Sequence, residues 1–537
     1  MPIPGLEKNI GTLLEKASER NGLKTAIHFD HENLRLSFRQ LDEYVNRFAN
    51  ALRDEGICKG EHIAVMLPNC PEFPLTWLAL AKLGAVMVPI NIRYQAADLE
   101  YVLNDSDASA MVIATEFASV FRQVWSNVPK IRKVFTVGQG ESDLGPSLNE
   151  LAKHVPTEIL SANTSLDTLI NIQYTSGTTG FPKGCILTHE YWLTLGKMAS
   201  ESMREDDVFL CVTPFYYMDP QWELIMCLNI GCTMVLTRRY SPSNYMALVH
   251  KYEATVSWAS MASWIYKQPE SLLDKAHRLR FVFIGAFPPH LHRPFEERFN
   301  LRAREAYGMT EIGTGMFVPL EDSRMTGSGS VGKPPPFREV RIVDEAGTDV
   351  PTGQVGELLI KGPGMFKGYY KKAKETAEAF DGEWFHTGDL FRQDERGYYY
   401  IVGRKKDMIR RSGDNISAVE IENLLTSHPK ILSAAVFPVP DENRGEEVKA
   451  YIIPAYGETP ETIPPEEIIS FCLERIAEFK VPRYIEYTTE FPRTPSGKAQ
   501  KHLLIAEKKD LTTGCYDRLR SESFVGIPNT NRKDPMR

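Results

Sequence analysis

The feature that most constrains this chain is an alternation of two periods. Residues 38–52 place Leu41, Tyr44, Val45, Phe48 and Leu52 at helical spacing, and the run stops at Gly56. Residues 62–67, HIAVML, form a short apolar run closed by Pro68 and Asn69, which predicts a buried strand. Residues 74–83 read as a helix halted by Gly84, and 85–90, AVMVPI, as the next strand. The same rhythm returns after residue 185. Helices alternating with buried strands imply parallel strands joined by crossover helices, an α/β arrangement.

The texture changes near residue 330. Gly and Pro become dense between short strands such as VRIV and ELLI, which predicts a turn-rich β subdomain over about 330–404. A second break is the charged stretch GRKKDMIRRSGDN, 403–415. Beyond it come a helix over 418–426, strands SAAVFPV and KAYIIPA, and a helix over 465–479, the makings of a small α+β domain. The expected division is therefore 1–404 and 405–537, with the last 25 or so polar residues poorly ordered.

Composition narrows the function classes. The 537 residues imply roughly three to five structural units. A hydrophobic share of 42% with 25% charged residues excludes disorder over most of the chain. The 62 Lys and Arg against 70 Asp and Glu leave a net charge of −8, with no general attraction to nucleic acid or an anionic membrane. The longest apolar stretch, 77–90, is interrupted by Lys82 and is too short to span a bilayer. The opening MPIPGLEKN lacks the apolar core of a secretory signal. Eight cysteines without a C-x-x-C pair predict free thiols in a reducing compartment. The expectation is a cytoplasmic protein with no nucleic-acid partner and no membrane span.

The strongest chemical signal is YTSGTTGFPKG, 174–184. Its glycines allow backbone conformations that aim successive N–H groups inward. Thr175, Ser176, Thr178 and Thr179 add hydroxyls, Gly177 and Gly180 add freedom, and Lys183 adds a point charge. Together they form an anion cradle of phosphate size. The order is not the P-loop pattern, because no Gly-Lys-Ser/Thr triplet closes it.

This stretch resembles the phosphate loop of the adenylate-forming enzymes: acyl-CoA synthetases, peptide-synthetase adenylation domains and luciferases. Other motifs of that family follow in its order. They are AKLGAVMVPIN at 81–91, YGMTE at 307–311, Glu357 in VGELLIKGP, HTGD at 386–389, Gly403-Arg404 and PSGK at 495–498. The resemblance implies a large N-terminal domain of two doubly wound α/β subdomains plus the small β subdomain. A small, mobile α+β lid follows, and ATP, Mg²⁺ and coenzyme A act on a small carboxylate. Within the family the acid and ATP give an acyl-adenylate and pyrophosphate, and a thiol then displaces AMP.

The same resemblance implies residue roles. Thr310 hydrogen-bonds the α-phosphate and Glu311 helps bind Mg²⁺. Asp389 accepts the ribose hydroxyls, with Arg404 assisting. Gly285 and Ala286 lie along the adenine, with Glu305, Ala306, Tyr307 and Gly308 opposite. Phe287 departs from the family here, since Pro-Leu commonly follows the two small residues. Lys498 supports the charge that grows during adenylation. Lys406 is the pivot of the lid, after which the loop of Ser412 and Gly413 approaches the nucleotide and the thiol tunnel. Tyr217 stands where the family normally carries a gating histidine.

The acyl pocket is expected from 214–222, 258–264 and 306–317, with Tyr217, Asp219, Trp258 and Trp264 as its head-group residues. Aromatic faces beside one carboxylate suit a quaternary ammonium. LPNCPEF and LALAKLGAVMVPIN are similar to the carnitine/crotonobetaine–CoA ligase branch. Two alternatives share every ATP motif: an enzyme charging a separate carrier or other acceptor, and a CoA ligase for short-chain or aromatic acids.

Overall fold

The computed structural model describes residues 3–138, 143–158, 162–175, 182–412, 414–492, 499–506 and 508–520, without the side chains of Asn415 and His502. Two units separate by their internal contacts. One is Met1–Gly353 with Leu358–Thr387 and Gln393–Tyr400; the other is Gln354–Glu357, Gly388–Arg392 and Ile401–Arg537.

The alternation of periods resolves in the first unit into two largely parallel sheets. One runs Lys133–Val137, Ala110–Ala114, His62–Met66, Val86–Pro89, Leu169–Thr175 and Lys183–Thr188. Every pairing in it is parallel except the last. Ile63 and Val65 are as buried as Ala64 and Met66, so both faces are covered and the strand reads as a continuous apolar run. The helices Ala96–Asp105 and Ala118–Val124 supply Leu99, Val102, Phe121 and Val124 to one face.

The other sheet has eight strands. Six consecutive parallel ones run from Thr25–Phe29 through Thr233–Leu236, Val208–Cys211, Val256–Trp258 and Phe281–Ile284 to Arg302–Met309. Antiparallel strands Leu34–Ser37 and Gly313–Phe317 close its two edges.

The helix ends follow local chemistry. Ser37 and Gln40 form a reciprocal capping box that starts Phe38–Asp54. Gly84, at φ +70°, ends Glu72–Leu83 in the left-handed conformation. Lys82, which interrupts the apolar run, is buried. Its ammonium meets Asp42 at 2.6 Å, Asn46 at 2.8 Å and Glu15 at 3.2 Å.

The turn-rich stretch forms a six-stranded sheet that includes Glu339–Val343, Gly356–Lys361, Trp384–Gln393 and Tyr399–Arg404. The last three strands carry residues of both units.

In the second unit a hairpin of Ile431–Asp441 and Gly445–Pro454 carries the sheet, with Tyr484–Tyr487 pairing parallel to its second strand. Helix Ala418–Thr426 matches its expected bounds and buries Ile421 and Leu425. The second helix is shorter than expected, Pro465–Leu473 rather than 465–479. Ala477 is extended, and Val481 is held extended before Pro482, while Ile476 and Phe479 still reach the same core from a turn. The expected poor order over the last 25 or so residues does not hold for Tyr516–Asp517, which pairs with Tyr484–Tyr487; residues 521–537 lie outside the described residues. Among the described residues no helix is long and apolar enough to cross a membrane, and all eight cysteines are free.

Candidate active site

The residues flanking the expected anion cradle form the base of a hairpin. Thr175 ends one strand, Lys183 begins the next, and the two are paired. The Thr175 hydroxyl donates to the Lys183 carbonyl at 3.4 Å. Ser176, Gly177, Thr178, Thr179 and Gly180 lie outside the described residues.

Lys183 and Glu311 meet on one side chain that the sequence reading did not single out. The Lys183 ammonium stands over the Tyr369 ring, 4.2 Å from its centroid. The Tyr369 hydroxyl donates to Glu311 Oε1 at 2.9 Å. Glu311 and Tyr369 are both buried. Thr310, beside Glu311 in the same turn, has its hydroxyl 3.8 Å from Met218 Sδ.

Two further groups hold this centre. The Arg338 guanidinium, only 4% exposed, donates to the carbonyls of Ile312 at 2.8 Å, Thr314 and Gly364 at 3.4 Å, and Pro363. Burial lowers its pKa to about 10. It thereby ties the turn after Glu311 to the segment that leads to Tyr369. Asp105 accepts from the Tyr174 hydroxyl at 2.8 Å and from Lys372 at 3.3 Å, and Asp107 accepts from the Tyr370 hydroxyl at 2.8 Å.

The expected adenine edge assembles as well. Ile284 pairs with Glu305 across parallel strands. A side chain added at Gly285 would lie 3.6 Å from the Ala306 carbonyl. Ala286 is exposed and left-handed at φ +53°, a conformation unusual for alanine. Glu305 holds that turn: its carboxylate accepts the Phe287 N–H at 2.9 Å. Burial pushes the Glu305 pKa up to about 8, with the Phe287 and Ala286 N–H groups acting the other way. Phe287, the departure from the family pattern, is buried against Phe295 and His292 and serves the core. Tyr307 is buried; Gly308 is required by a close approach, since an added Cβ would stand 2.4 Å from the Gly313 carbonyl.

Part of the expected acyl pocket comes together too. Trp222 meets Trp258 edge-to-face at 6.2 Å, and Trp258 stacks on Phe283 at 6.3 Å. The Trp222 indole N–H donates to Asp219 Oδ1 at 3.4 Å. Tyr217 pairs instead with Tyr216, at 4.7 Å, and burial raises its phenol pKa. Trp264 is half-buried on a separate short helix, Ala262–Tyr266. One turn beyond Asp219, Glu223 is completely buried, and burial pushes its pKa far up, with the Cys211 thiol acting the other way. Its place in a helix of mixed polarity gave no sign of this.

In the second unit Asp389 is buried and pairs with Arg404 Nε at 2.8 Å. Glu357 accepts the Gly388 N–H at 3.2 Å and pairs with Lys405 at 2.9 Å. Burial, with Arg404 and Lys501 nearby, lowers the Lys406 pKa. Ser412, at φ +53°, turns the hairpin of Met408–Arg411 and Asp414–Ser417. Gly413 and Lys498 lie outside the described residues.

Comparison with known proteins decides the family. Residues 14–370 match the AMP-binding enzyme family and 420–498 match the AMP-binding enzyme C-terminal domain. The chain belongs to the AMP-binding enzyme family.

Its relatives include the crotonobetaine/carnitine–CoA ligase of Proteus mirabilis, 36% identical over 89% of this chain and 96% of that protein. The enzyme of the same name from Salmonella paratyphi A is 37% identical over 92% and 98%. Among solved structures, the anthranilate CoA ligase AuaEII in complex with anthranoyl-AMP superposes with a TM-score of 0.88. It is 26% identical and covers 94% of this chain and 98% of its own. ATP-bound MatB from Rhodopseudomonas palustris superposes at 0.85, with 27% identity over 94% and 100%. This AMP-binding enzyme is an AMP-forming acyl-CoA synthetase that uses ATP, Mg²⁺ and CoA on a small-molecule carboxylate.

The residues present suit those co-reactants. Among the described residues no group of three or more His, Cys, Asp or Glu could hold a metal. Mg²⁺ does not need one, because it keeps waters and takes one or two carboxylates together with phosphate oxygens. Glu311 offers a hard carboxylate oxygen with its partner oxygen already fixed by Tyr369.

Proposed function

We propose that the acid activated is a small carboxylate bearing a quaternary ammonium group, of betaine or carnitine type. The observation that carries this reading is the Trp222–Trp258–Phe283 aromatic group with Asp219 hydrogen-bonded to its edge. A cation gains energy on aromatic faces and from a nearby carboxylate, and neutral acids gain neither. The names of the relatives from Proteus and Salmonella support the same class.

The reaction follows in two displacements. The substrate carboxylate oxygen attacks the α-phosphorus, and the bond to the β-phosphate breaks, with pyrophosphate leaving. The CoA sulfur then attacks the acyl carbon, and AMP leaves with the bridging oxygen. In the first step Lys183, Thr310 and the hydroxyls and N–H groups of Thr175–Gly180 offset the negative charge of the phosphates. Glu311 holds Mg²⁺, which when bound neutralises phosphate charge. Gly285, Ala286, Glu305, Ala306, Tyr307 and Gly308 shape the adenine edge. Asp389, assisted by Arg404, accepts from the ribose hydroxyls, as an ionised carboxylate does well. Lys498 offsets the charge that develops at the α-phosphate.

For the second step, residues 405–537 act as a mobile lid that turns about Lys406. The loop of Ser412 and Gly413 then serves the thiol, and Tyr217 gates the pocket. The enzyme works in the cytoplasm, a reading supported by its eight free cysteines.

The test is a pyrophosphate-release screen across betaine-type, short-chain, aromatic and long-chain acids, with and without CoA. Betaine-type acids should lead, and the thioester should require CoA. Faster turnover of aromatic acids would overturn the substrate class and favour the chemistry named for the anthranilate and benzoate ligases of similar fold.

A further inference from the structure

We propose that Tyr369 is a positioning residue that couples phosphate binding to Mg²⁺ binding. The inference rests on the reading above, in which Lys183 serves the phosphates and Glu311 the metal. Its own basis is geometric. One rigid side chain offers its face to Lys183 at 4.2 Å and its hydroxyl to Glu311 at 2.9 Å. The cation and the carboxylate are thus set relative to each other by a ring that has no freedom to separate them.

The ring is itself fixed from several directions. Residues 367–370 run beside the strand that begins at Lys183. Lys367 N–H donates to the Ile186 carbonyl at 2.9 Å, Ile186 N–H to Gly368 at 3.0 Å, and Tyr370 N–H to Gly184 at 2.8 Å. This register sets Tyr369 opposite Cys185, two residues from Lys183. The Tyr369 N–H donates to Thr376 Oγ1 at 2.9 Å, and the ring packs on Phe366 at 5.0 Å. Tyr370 and Lys372 anchor the flanks on Asp107 and Asp105. Asp105 also takes the hydroxyl of Tyr174, the residue that leads into the cradle.

The consequence is chemical. A hydroxyl bonded to one carboxylate oxygen fixes the rotation of that carboxylate, so the other oxygen keeps a set direction for a metal. Removing the hydroxyl removes one restraint on that rotation, which metal binding must then supply. The aromatic face seats the Lys183 ammonium but cannot neutralise it, which leaves its charge for a phosphate.

The test separates the two contacts. Tyr369→Phe keeps the face and removes the hydroxyl; Tyr369→Leu removes both. ATP binding is measured by calorimetry with and without Mg²⁺, in the absence of acid and CoA, beside the Mg²⁺ dependence of pyrophosphate release. For Tyr369→Phe the Mg²⁺ requirement should rise about tenfold, the scale of a hydrogen bond to a charged group, with metal-free ATP affinity unchanged. Tyr369→Leu should also weaken metal-free ATP binding by about threefold. Either variant tests the hydroxyl, because both lack it, and thermal unfolding reports whether each is folded. If a folded variant keeps the wild-type Mg²⁺ requirement, the proposal is wrong. Glu311→Gln and Lys183→Ala test the reading beneath it. If Glu311→Gln shifts the Mg²⁺ requirement and Tyr369→Phe does not, only the coupling fails. If Glu311→Gln also leaves it unchanged, the metal role of Glu311 fails, and the coupling with it.

Discussion

Two charged regions of this protein are built on opposite plans. In the first unit Glu311 and Arg338 are buried, with a tyrosine hydroxyl among the partners of the one and backbone carbonyls among those of the other. In the second, Asp389 and Glu357 are buried but pair with cations that are half in water: Arg404 is 38% exposed and Lys405 48%. Groups desolvated among fixed dipoles do not reorganise readily, whereas an ion pair with an exposed partner is weak and exchangeable. The difference teaches that one region is built to hold a constant arrangement. The other keeps carboxylates in place beside cations that reach the solvent.

The largest expected effect tests the exchangeable side. Lys498→Ala should slow adenylation by about 10²–10³, the scale of losing one contact to developing charge, and spare thioester formation from a supplied acyl-adenylate. Equal losses in both half-reactions would contradict a role for Lys498 in the first step alone.

A paired substitution sharpens the contrast. Arg338→Met leaves four carbonyls without their donor and should cost about 3 kcal/mol of stability, read as a lower denaturation midpoint. Arg404→Met removes one half-exposed partner and should cost less stability than Arg338→Met, yet raise the KM for ATP. Similar midpoints for the two variants would show that burial does not distinguish the regions.

A smaller effect concerns Glu305, the buried carboxyl that holds the 285–287 turn. Its pKa is raised to about 8 by burial, so the folded state binds a proton that the unfolded chain gives up at lower pH. The stability from that proton is complete below the ordinary carboxyl range and is lost as pH rises through about 8. Glu305→Gln keeps an acceptor for the Phe287 N–H and cannot ionise. Its melting temperature relative to the native protein should therefore improve by a few degrees between pH 6 and 9, on the order of what one buried charge costs. A difference that does not change with pH would remove Glu305 from this account.

Much of this was legible in the chain because the signals are local. A run such as HIAVML needs only its own neighbours to be read as a buried strand, and Gly84 ends its helix by its own backbone preference. The second helix of the C-terminal unit was overrun because Ile476 and Phe479 keep the apolar period while the backbone has already turned. Family resemblance singled out Glu311, Asp389 and Arg404 in the sequence. Tyr369 was not singled out, because its meaning lies in contacts with residues 183 and 311, far away in sequence. Locally, GYYKK reads as a turn with solvated lysines. Arg338 was hidden in the same way among prolines, where a charged residue ordinarily faces water. Glu223 and Glu305 break the rule that acidic residues stay exposed, and composition carries no mark of such exceptions.

The smallest expected effect concerns the head-group pocket. Trp222 and Trp258 meet edge-to-face, and Asp219 accepts from the Trp222 indole, so its carboxylate stands at the rim of an aromatic group. The informative pair of substrates is γ-trimethylammoniobutyrate and its carbon isostere, in which a tert-butyl group replaces the trimethylammonium. They share shape and differ in charge. A cation on an aromatic face gains about 0.5–2 kcal/mol, so kcat/KM should favour the cationic acid by roughly twofold to thirtyfold. Asp219→Asn keeps an oxygen for the Trp222 N–H and removes the charge with little change in volume. It should narrow that ratio without abolishing it, because the ring faces remain. Trp258→Leu should lower the ratio by removing a ring face while leaving Asp219 charged. A ratio unmoved by Asp219→Asn but lowered by Trp258→Leu would assign the selectivity to the rings alone. A ratio near unity in the native protein would refute a cation pocket, and the fixed centre around Lys183, Tyr369 and Glu311 would stand unchanged, since no part of it depends on the acyl group.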